Sequence, residues 1–244
     1  MENWFFDFFD DNYLKIYLEK QSPILTKKQV DFIIEELSLK IGDKILDLGC
    51  GIGRHLIEIG KRGFFGVGVE FNKKYIEIAN ILRGDLKNIE FKNIDMRDIN
   101  FENEFDGAIS MWTSFGYFLD EENLILLKKI NNALKKGRKF LLDVENIYYM
   151  LKNLPKERWE KEDDLFILER NELKTKTSRL LTERYIIKEK EIKRYIRKYR
   201  IYTLKEIELY LNESNFKILK TFGGYEKEDY LYQSKRLIII SEKL

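Results

Sequence analysis

Between about residues 26 and 147 the chain alternates short apolar runs with stretches of helical period. The first strand-to-helix junction carries three alternating glycines, Asp47-Leu48-Gly49-Cys50-Gly51-Ile52-Gly53. This pattern constrains the fold more than any other feature. Strands joined by helix-length crossovers lie parallel, with right-handed connections and helices on both faces, and ligands sit at their carboxyl ends. The pattern predicts a helix over 26–39 capped by Thr26, then strand 44–48, helix 54–62, strand 64–70, helix 73–83, strands 89–94 and 105–111, helix 121–135 and strand 139–144. After Pro155 the period drops to two through 165–173, 180–187 and 192–202, as in an antiparallel sheet with one face on the body and one in water. A helix over 204–213 and strands near 216–222 and 236–241 follow. The expected class is α/β, a sheet with helices on both faces and an inserted antiparallel β cap. The chain divides into an aromatic amino-terminal segment (1–25), a body (26–154 and 203–244) and the cap (155–202).

Composition narrows the function classes. The 44 Lys+Arg nearly balance the 42 Asp+Glu, for a formal net charge of +2, which argues against nucleic acid as partner while leaving local patches open. One histidine and one cysteine supply neither a zinc-ligand cluster nor an internal disulfide, so a metal-free, cytoplasmic protein is expected. No apolar run approaches the roughly 18 residues of a membrane-spanning helix, and the first residues lack the basic and apolar regions of a secretory leader.

Alternating glycines let the backbone turn sharply and approach a ligand, and the helix that follows offers unpaired N–H donors. The dinucleotide fingerprint G-x-G-x-x-G would need glycine or alanine at position 54, where this chain has Arg54. Asp47 would repel a pyrophosphate and attract an ammonium, so the expected ligand carries an amine.

The run Ile45-Leu46-Asp47-Leu48-Gly49-Cys50-Gly51-Ile52-Gly53-Arg54 resembles motif I of class I S-adenosylmethionine (SAM)-dependent methyltransferases, and Val67-Gly68-Val69-Glu70-Phe71 and Asp95-Met96 follow in the family's order. The resemblance implies a Rossmann-like sheet, SAM as cofactor and S-adenosyl-L-homocysteine as product. It places Asp47, Gly49, Cys50, Gly51 and Arg54 around the aminoacyl tail, with the Cys50 backbone N–H offered to its carboxylate. Glu70 would bond the ribose hydroxyls, Phe71 pack on the adenine, and Asp95 and Met96 bond its amine and cover its ring. Within the family the chain is similar to glycine/sarcosine and amino-sugar N-methyltransferases, which carry Gly-x-Gly-Arg-His and a β cap. Here Gly51-Ile52-Gly53-Arg54-His55 stands in that place, with Ile52 where threonine is usual.

The amino-terminal segment is unusually aromatic, and Tyr13 and Tyr17, four apart, share a helical face that either covers the cofactor or packs on the body. His55 is read as a packing or hydrogen-bonding residue rather than a general base. By the same resemblance Met111 and Trp112 lie on the cofactor side and Tyr117 on the acceptor side. Asp143, Glu145 and Asn146 fall at the carboxyl edge of their strand, with Asp143 and Glu145 pointing the same way, and are expected among the residues that meet the acceptor. Tyr195, Arg197 and Tyr199 share one face of the last cap strand, either solvated or set against an acidic acceptor. The expected function is methyl transfer from SAM to nitrogen or oxygen of a small-molecule acceptor, with no catalytic residue assigned and a homodimer left open. The alternatives are an RNA methyltransferase and a non-catalytic SAM-binding protein. Asp47→Ala and Glu70→Ala are expected to weaken SAM binding with the fold intact.

Overall fold

A computed structural model describes residues 4–244. In chain order its strands are β1 (Lys44–Leu48), β2 (Phe65–Glu70), β3 (Ile89–Asn93), β4 (Phe105–Ser110), β5 (Leu134–Glu145), β6 (Glu157–Glu162), β7 (Leu165–Lys174), β8 (Arg179–Lys188), β9 (Glu191–Arg200), β10 (Phe216–Phe222) and β11 (Arg236–Lys243). Its helices are α1 (Phe5–Phe8), α2 (Asp11–Tyr13), α3 (Pro23–Glu36), α4 (Arg54–Lys61), α5 (Lys73–Arg83), α6 (Asp120–Ala133), α7 (Ile147–Asn153) and α8 (Leu204–Glu213), with a π-helical turn at Leu14–Leu18.

Seven strands form one sheet in the order β10-β11-β5-β4-β1-β2-β3. β1 to β5 pair in parallel, and β11 runs antiparallel to both β5 and β10. This is the Rossmann-like architecture expected, with the strand order reversing between β1 and β4, where such sheets open a crevice. Successive side chains enter opposite layers: Ile45, Leu141 and Ile238 pack beside Ile33 and Ile59, whereas Leu46, Leu142 and Ile239 pack beside Leu127 and Leu211. Burial on both faces explains why these strands read as apolar runs.

The sequence places the cap of α3 four residues late. Ser22 is its N-cap, its Oγ accepting from the Leu25 N–H at 3.4 Å, and Pro23 occupies the first turn. Pro is pre-organised there and has no N–H to orphan, so the cap signal lies at Ser-Pro rather than at Thr26. Thr26 sits inside the helix and donates its hydroxyl to Ser22 O at 3.1 Å.

β6 to β9 form a separate antiparallel meander. Along β7, Leu165, Ile167, Glu169 and Asn171 are buried, while Phe166 and Leu168 between them are exposed. The amino-terminal segment is wedged between this sheet and the body. The Asn72 Nδ2 donates to Phe9 O at 2.6 Å and the Tyr75 hydroxyl to Asp10 O at 2.9 Å, while from the cap the Tyr195 hydroxyl donates to Asp10 Oδ2 at 2.6 Å. No described helix is long and apolar enough to cross a membrane.

Candidate active site

The glycine turn after β1 is built as its spacing demands. Gly49, Gly51 and Gly53 have φ of +69°, +55° and +78°. At Gly53 a Cβ would lie 2.3 Å from Phe91 Cζ, so neither the backbone angle nor the space admits a side chain. The turn delivers the chain into α4 at the carboxyl ends of β1, β2 and β4, where a cavity opens. Its wall includes all thirteen residues expected at the cofactor, Tyr13, Tyr17, Asp47, Gly49, Cys50, Gly51, Arg54, Glu70, Phe71, Asp95, Met96, Met111 and Trp112, and also Tyr117.

Asp47 is 1% exposed, and its Oδ2 has no hydrogen-bond partner among the described residues. Burial pushes its carboxyl up to about 7, with Arg54 opposing the rise and Glu70 adding to it. A buried acceptor of this kind is costly unless a partner arrives, and an ammonium is the fitting one. Glu70 is also buried, and burial pushes it up to about 7 against the N–H groups that bond it. Its Oε2 accepts from the Gly51 N–H at 3.1 Å and its Oε1 from the Asn72 N–H at 2.9 Å, so it ties the glycine turn to the start of α5 while facing the cavity.

One local expectation is overturned. The Cys50 N–H donates to Val69 O at 3.1 Å, beside the Gly49 N–H at 2.9 Å, and so is not free for a ligand carboxylate. The Cys50 thiol is enclosed over Gly68, and burial pushes its pKa well up. Arg54 crosses to α3, its Nη1 donating to Thr26 Oγ1 at 2.9 Å and to Gln29 Oε1 at 2.6 Å, and stacks 5.0 Å from the Trp112 ring centroid. His55 is buried with Nε2 3.1 Å from Gln29 Oε1, and burial beside Arg54 holds its pKa well below the ordinary value, so it stays a neutral packing residue. Asp95 lines the cavity with its carboxylate gripped by Arg97, Nη2 to Oδ2 at 2.8 Å.

Opposite the glycine turn stands the amino-terminal segment. Phe5, Phe9, Tyr13 and Tyr17, each four residues from the last, all line the cavity, and Gln21 continues the series. Sequence reasoning used only the two tyrosines; the full i, i+4 repeat was legible. Ser114, Tyr75 and Phe118 were also missed, lying on loops or helices where nothing in the chain marks them. Burial pushes the Tyr13 phenol up to about 12 despite Arg197 and Arg184 nearby, so it remains protonated. The Tyr17 hydroxyl is enclosed without a partner among the described residues.

The other residues expected at the acceptor, Asp143, Glu145, Asn146, Tyr195 and Arg197, do not line this cavity. Asp143 is fully buried and holds the Trp112 N–H (3.0 Å), the Tyr225 hydroxyl (2.6 Å) and Arg236 Nε (2.7 Å). Asn146 is the N-cap of α7 and ties down the 231–234 loop, its Nδ2 donating to Leu231 O at 3.0 Å and Ser234 O at 2.7 Å. Glu145 accepts from the Tyr199 hydroxyl. Tyr195 is bound to Asp10, and the face it shares with Arg197 and Tyr199 packs inward against the amino-terminal segment rather than meeting water.

Residues 45–137 match the methyltransferase domain family. Among curated relatives, the chain is 27% identical over 131 residues to the putative methyltransferase YqeM of Bacillus subtilis, spanning 53% of each chain. It is 28% identical over 225 residues to the uncharacterized protein MJ1252 of Methanocaldococcus jannaschii, covering 90% of this chain and 77% of that one. The chain thus spans about half the length of YqeM. Among solved structures, an S-adenosylmethionine-dependent methyltransferase from Clostridium acetobutylicum superposes with a TM-score of 0.78 at 22% identity over 98% of both chains. SAM-bound CalS10, an amino pentose methyltransferase from Micromonospora echinaspora, gives a TM-score of 0.68 at 15% identity over 97% of this chain and 98% of that one. The fold is that of SAM-dependent methyltransferases. The residues present suit that cofactor: an orphaned carboxylate for an ammonium, a second carboxylate for hydroxyls, and apolar Phe71 and Met96 for a flat ring.

Proposed function

We propose that this chain is a SAM-dependent methyltransferase that moves a methyl group to a nitrogen or oxygen of a small-molecule acceptor, releasing S-adenosyl-L-homocysteine. The observation that carries this reading is the enclosed, partnerless Asp47 Oδ2 at the glycine turn, inside a methyltransferase domain. Asp47 holds the ammonium of the aminoacyl tail, and its carboxylate is left to Arg54 and the start of α4, since the Cys50 N–H is engaged within the sheet. Glu70 accepts from the ribose hydroxyls, and Asp95, Met96 and Phe71 surround the adenine.

When bound, SAM supplies an already activated methyl carbon. The protein's task is alignment of donor and acceptor in a dry cavity, with reacting atoms about 3–3.5 Å apart, which can remove several kcal/mol from the barrier. Phe5, Phe9, Tyr13 and Tyr17 exclude water from one side, and Tyr117 faces the acceptor. Tyr13 and Tyr17 keep their protons at neutral pH because burial raises both phenols, so they orient an acceptor by hydrogen bonding rather than by deprotonating it. The acceptor arrives as a neutral amine, whose methylated ammonium then releases its proton to solvent, or as a hydroxyl already ionised before transfer.

A small molecule is favoured over RNA because the cavity is roofed by the amino-terminal segment, itself bonded to both body and cap, and the net charge is only +2. The test is S-adenosylhomocysteine formation by the purified protein with a panel of amines and hydroxy acids. Turnover that needs RNA and falls steeply with salt would replace this reading with the RNA one.

A further inference from the structure

Arg97 follows Asp95 and Met96 in a short 3-10 turn, Met96–Asp98, of which Asp95 is the N-cap. It does not line the candidate active site. It stands behind it, in the wall of a second cavity that shares Phe5, Tyr117 and Phe118 with the first. From there its guanidinium forks onto the Asp95 carboxylate, Nη2 to Oδ2 at 2.8 Å and Nε to Oδ1 at 3.2 Å, while the Arg97 backbone N–H donates to Oδ1 at 2.9 Å. Nη1 donates to Glu122 Oε1 at 3.0 Å, and the other oxygen of Glu122 accepts the Leu119 N–H at 2.9 Å at the start of α6. The same guanidinium stacks on two rings, with Cζ 4.4 Å from the Phe118 centroid and 5.5 Å from that of Phe5. Phe5 in turn meets Phe71 edge to face at 5.4 Å. An exposed ion pair contributes little, but the Asp95 and Arg97 side chains are only 14% and 27% exposed, and a bidentate pair fixes direction as well as distance.

We infer that Arg97 is a positioning residue for the base of the cofactor: it holds Asp95 so that Oδ2 faces the exocyclic amine of adenine, and it braces Phe5 and Phe118 against the ring from behind. The inference rests on the SAM reading above. A carboxylate has about four lone-pair sites, and with Oδ1 committed to the Arg97 backbone and Nε, Oδ2 keeps capacity beyond its bond to Nη2. A carboxylate in an ion pair accepts and does not donate. It therefore bonds the amine of adenine and repels the oxygen that hypoxanthine carries at the same position. A carboxylate free to rotate would find the ring N–H of hypoxanthine instead, so the selectivity depends on the fork and not on Asp95 alone. Phe5 belongs to the amino-terminal segment, so the same guanidinium joins that segment to the base-binding wall.

The test is calorimetric titration of the full chain with S-adenosylhomocysteine and with S-inosylhomocysteine, which carries oxygen in place of that amine. The parent should bind the adenine nucleoside at least about tenfold more tightly. Arg97→Met should weaken S-adenosylhomocysteine and bring the two affinities to within about threefold of each other. Asp95→Asn, whose amide can turn either edge to the base, should lose the preference likewise, and adding Arg97→Met to it should change the ratio no further. No preference in the parent, an equal loss for both nucleosides in Arg97→Met, or a further change of the ratio in the double variant overturns the inference; the equal loss would make Arg97 structural only. Arg97→Lys, which keeps a charge beside Phe118 and loses the fork, supplies the reading if the methionine variant does not fold, and the parental ratio in it overturns the inference as well. Should the parent bind neither nucleoside, the cofactor reading falls and takes this inference with it; S-adenosylhomocysteine binding with an unaltered ratio in the variants overturns this inference alone.

Discussion

The Asp143 carboxylate accepts the Trp112 N–H at 3.0 Å and so fixes a turn in which two non-glycine residues, Trp112 and Thr113, hold φ of +57° and +63°. The Asp143 backbone O takes the Thr113 N–H at 2.9 Å, and Arg236 Nη2 donates to Thr113 Oγ1 at 3.1 Å. Such backbone persists only where its surroundings over-determine it. The turn carries Trp112 into the cavity wall and under Arg54. Asp143 therefore serves the site from beneath.

Asp143→Ala leaves the half-buried Arg236 without its carboxylate partner and should cost roughly 3 kcal/mol, seen in a denaturant melt. The double variant Asp143→Leu/Arg236→Met should recover most of that stability without recovering S-adenosylhomocysteine affinity, because the Trp112 turn still lacks its acceptor. Full recovery of affinity would separate the turn from the site.

Asp47 gives a pH prediction. Its folded pKa of about 7 lies above the unfolded value near 4, so the folded state binds the proton more tightly. The penalty for the charged form is absent below pH 4, grows between pH 4 and 7, and is complete above 7. Asp47→Asn should stabilise the ligand-free protein at pH 8 by roughly 2–4 kcal/mol and have little effect near pH 4. Ligand binding that needs the charged carboxylate should tighten from pH 5.5 to 7.5 with proton release, measurable by calorimetry in buffers of different ionisation enthalpy. A flat pH profile contradicts the ammonium contact.

Glu70 refines the expectation that its removal leaves the fold untouched. Because it accepts the Gly51 and Asn72 N–H groups, Glu70→Ala orphans both, while Glu70→Gln keeps an amide oxygen for one. The alanine variant should melt below the glutamine variant by about 1–2 kcal/mol, with both binding cofactor more weakly. Equal stability would mean that water replaces the carboxylate freely.

Tyr195 tests the roof. Its hydroxyl donates to Asp10 Oδ2 at 2.6 Å and accepts from Asn12 Nδ2 at 2.8 Å, linking cap to amino-terminal segment. Tyr195→Phe should cost about 1 kcal/mol and raise the S-adenosylhomocysteine off-rate several-fold in stopped-flow displacement. An unchanged off-rate would mean that the segment stays closed during exchange.

Strong local periodicity made much of this legible. β1 falls on the expected residues, and α4 and α5 begin where expected, because buried parallel strands and amphipathic helices announce themselves. β6 escaped notice because Glu157-Arg158-Trp159-Glu160-Lys161-Glu162 is an edge strand, mostly exposed and without apolar alternation. α7 was hidden because Asn146, its cap, was read as a ligand residue at the end of β5. In the site, the motif at 47–54 located the cavity by local geometry, whereas the roles of Asp143 and Asn146 depend on Tyr225, Arg236 and the 231–234 loop, distant in sequence and brought in only by β11. The inward turn of Tyr195 and Arg197 likewise needed the amino-terminal segment packed against them.

The central claim is that the glycine turn and Asp47 hold the aminoacyl tail of a sulfonium nucleoside. Isothermal titration of the purified chain with SAM at pH 7.5 tests it most directly. The account predicts one site per chain, weakened roughly 10–100-fold in Asp47→Asn. Absence of heat at millimolar nucleoside, or equal affinity in the variant, would contradict it.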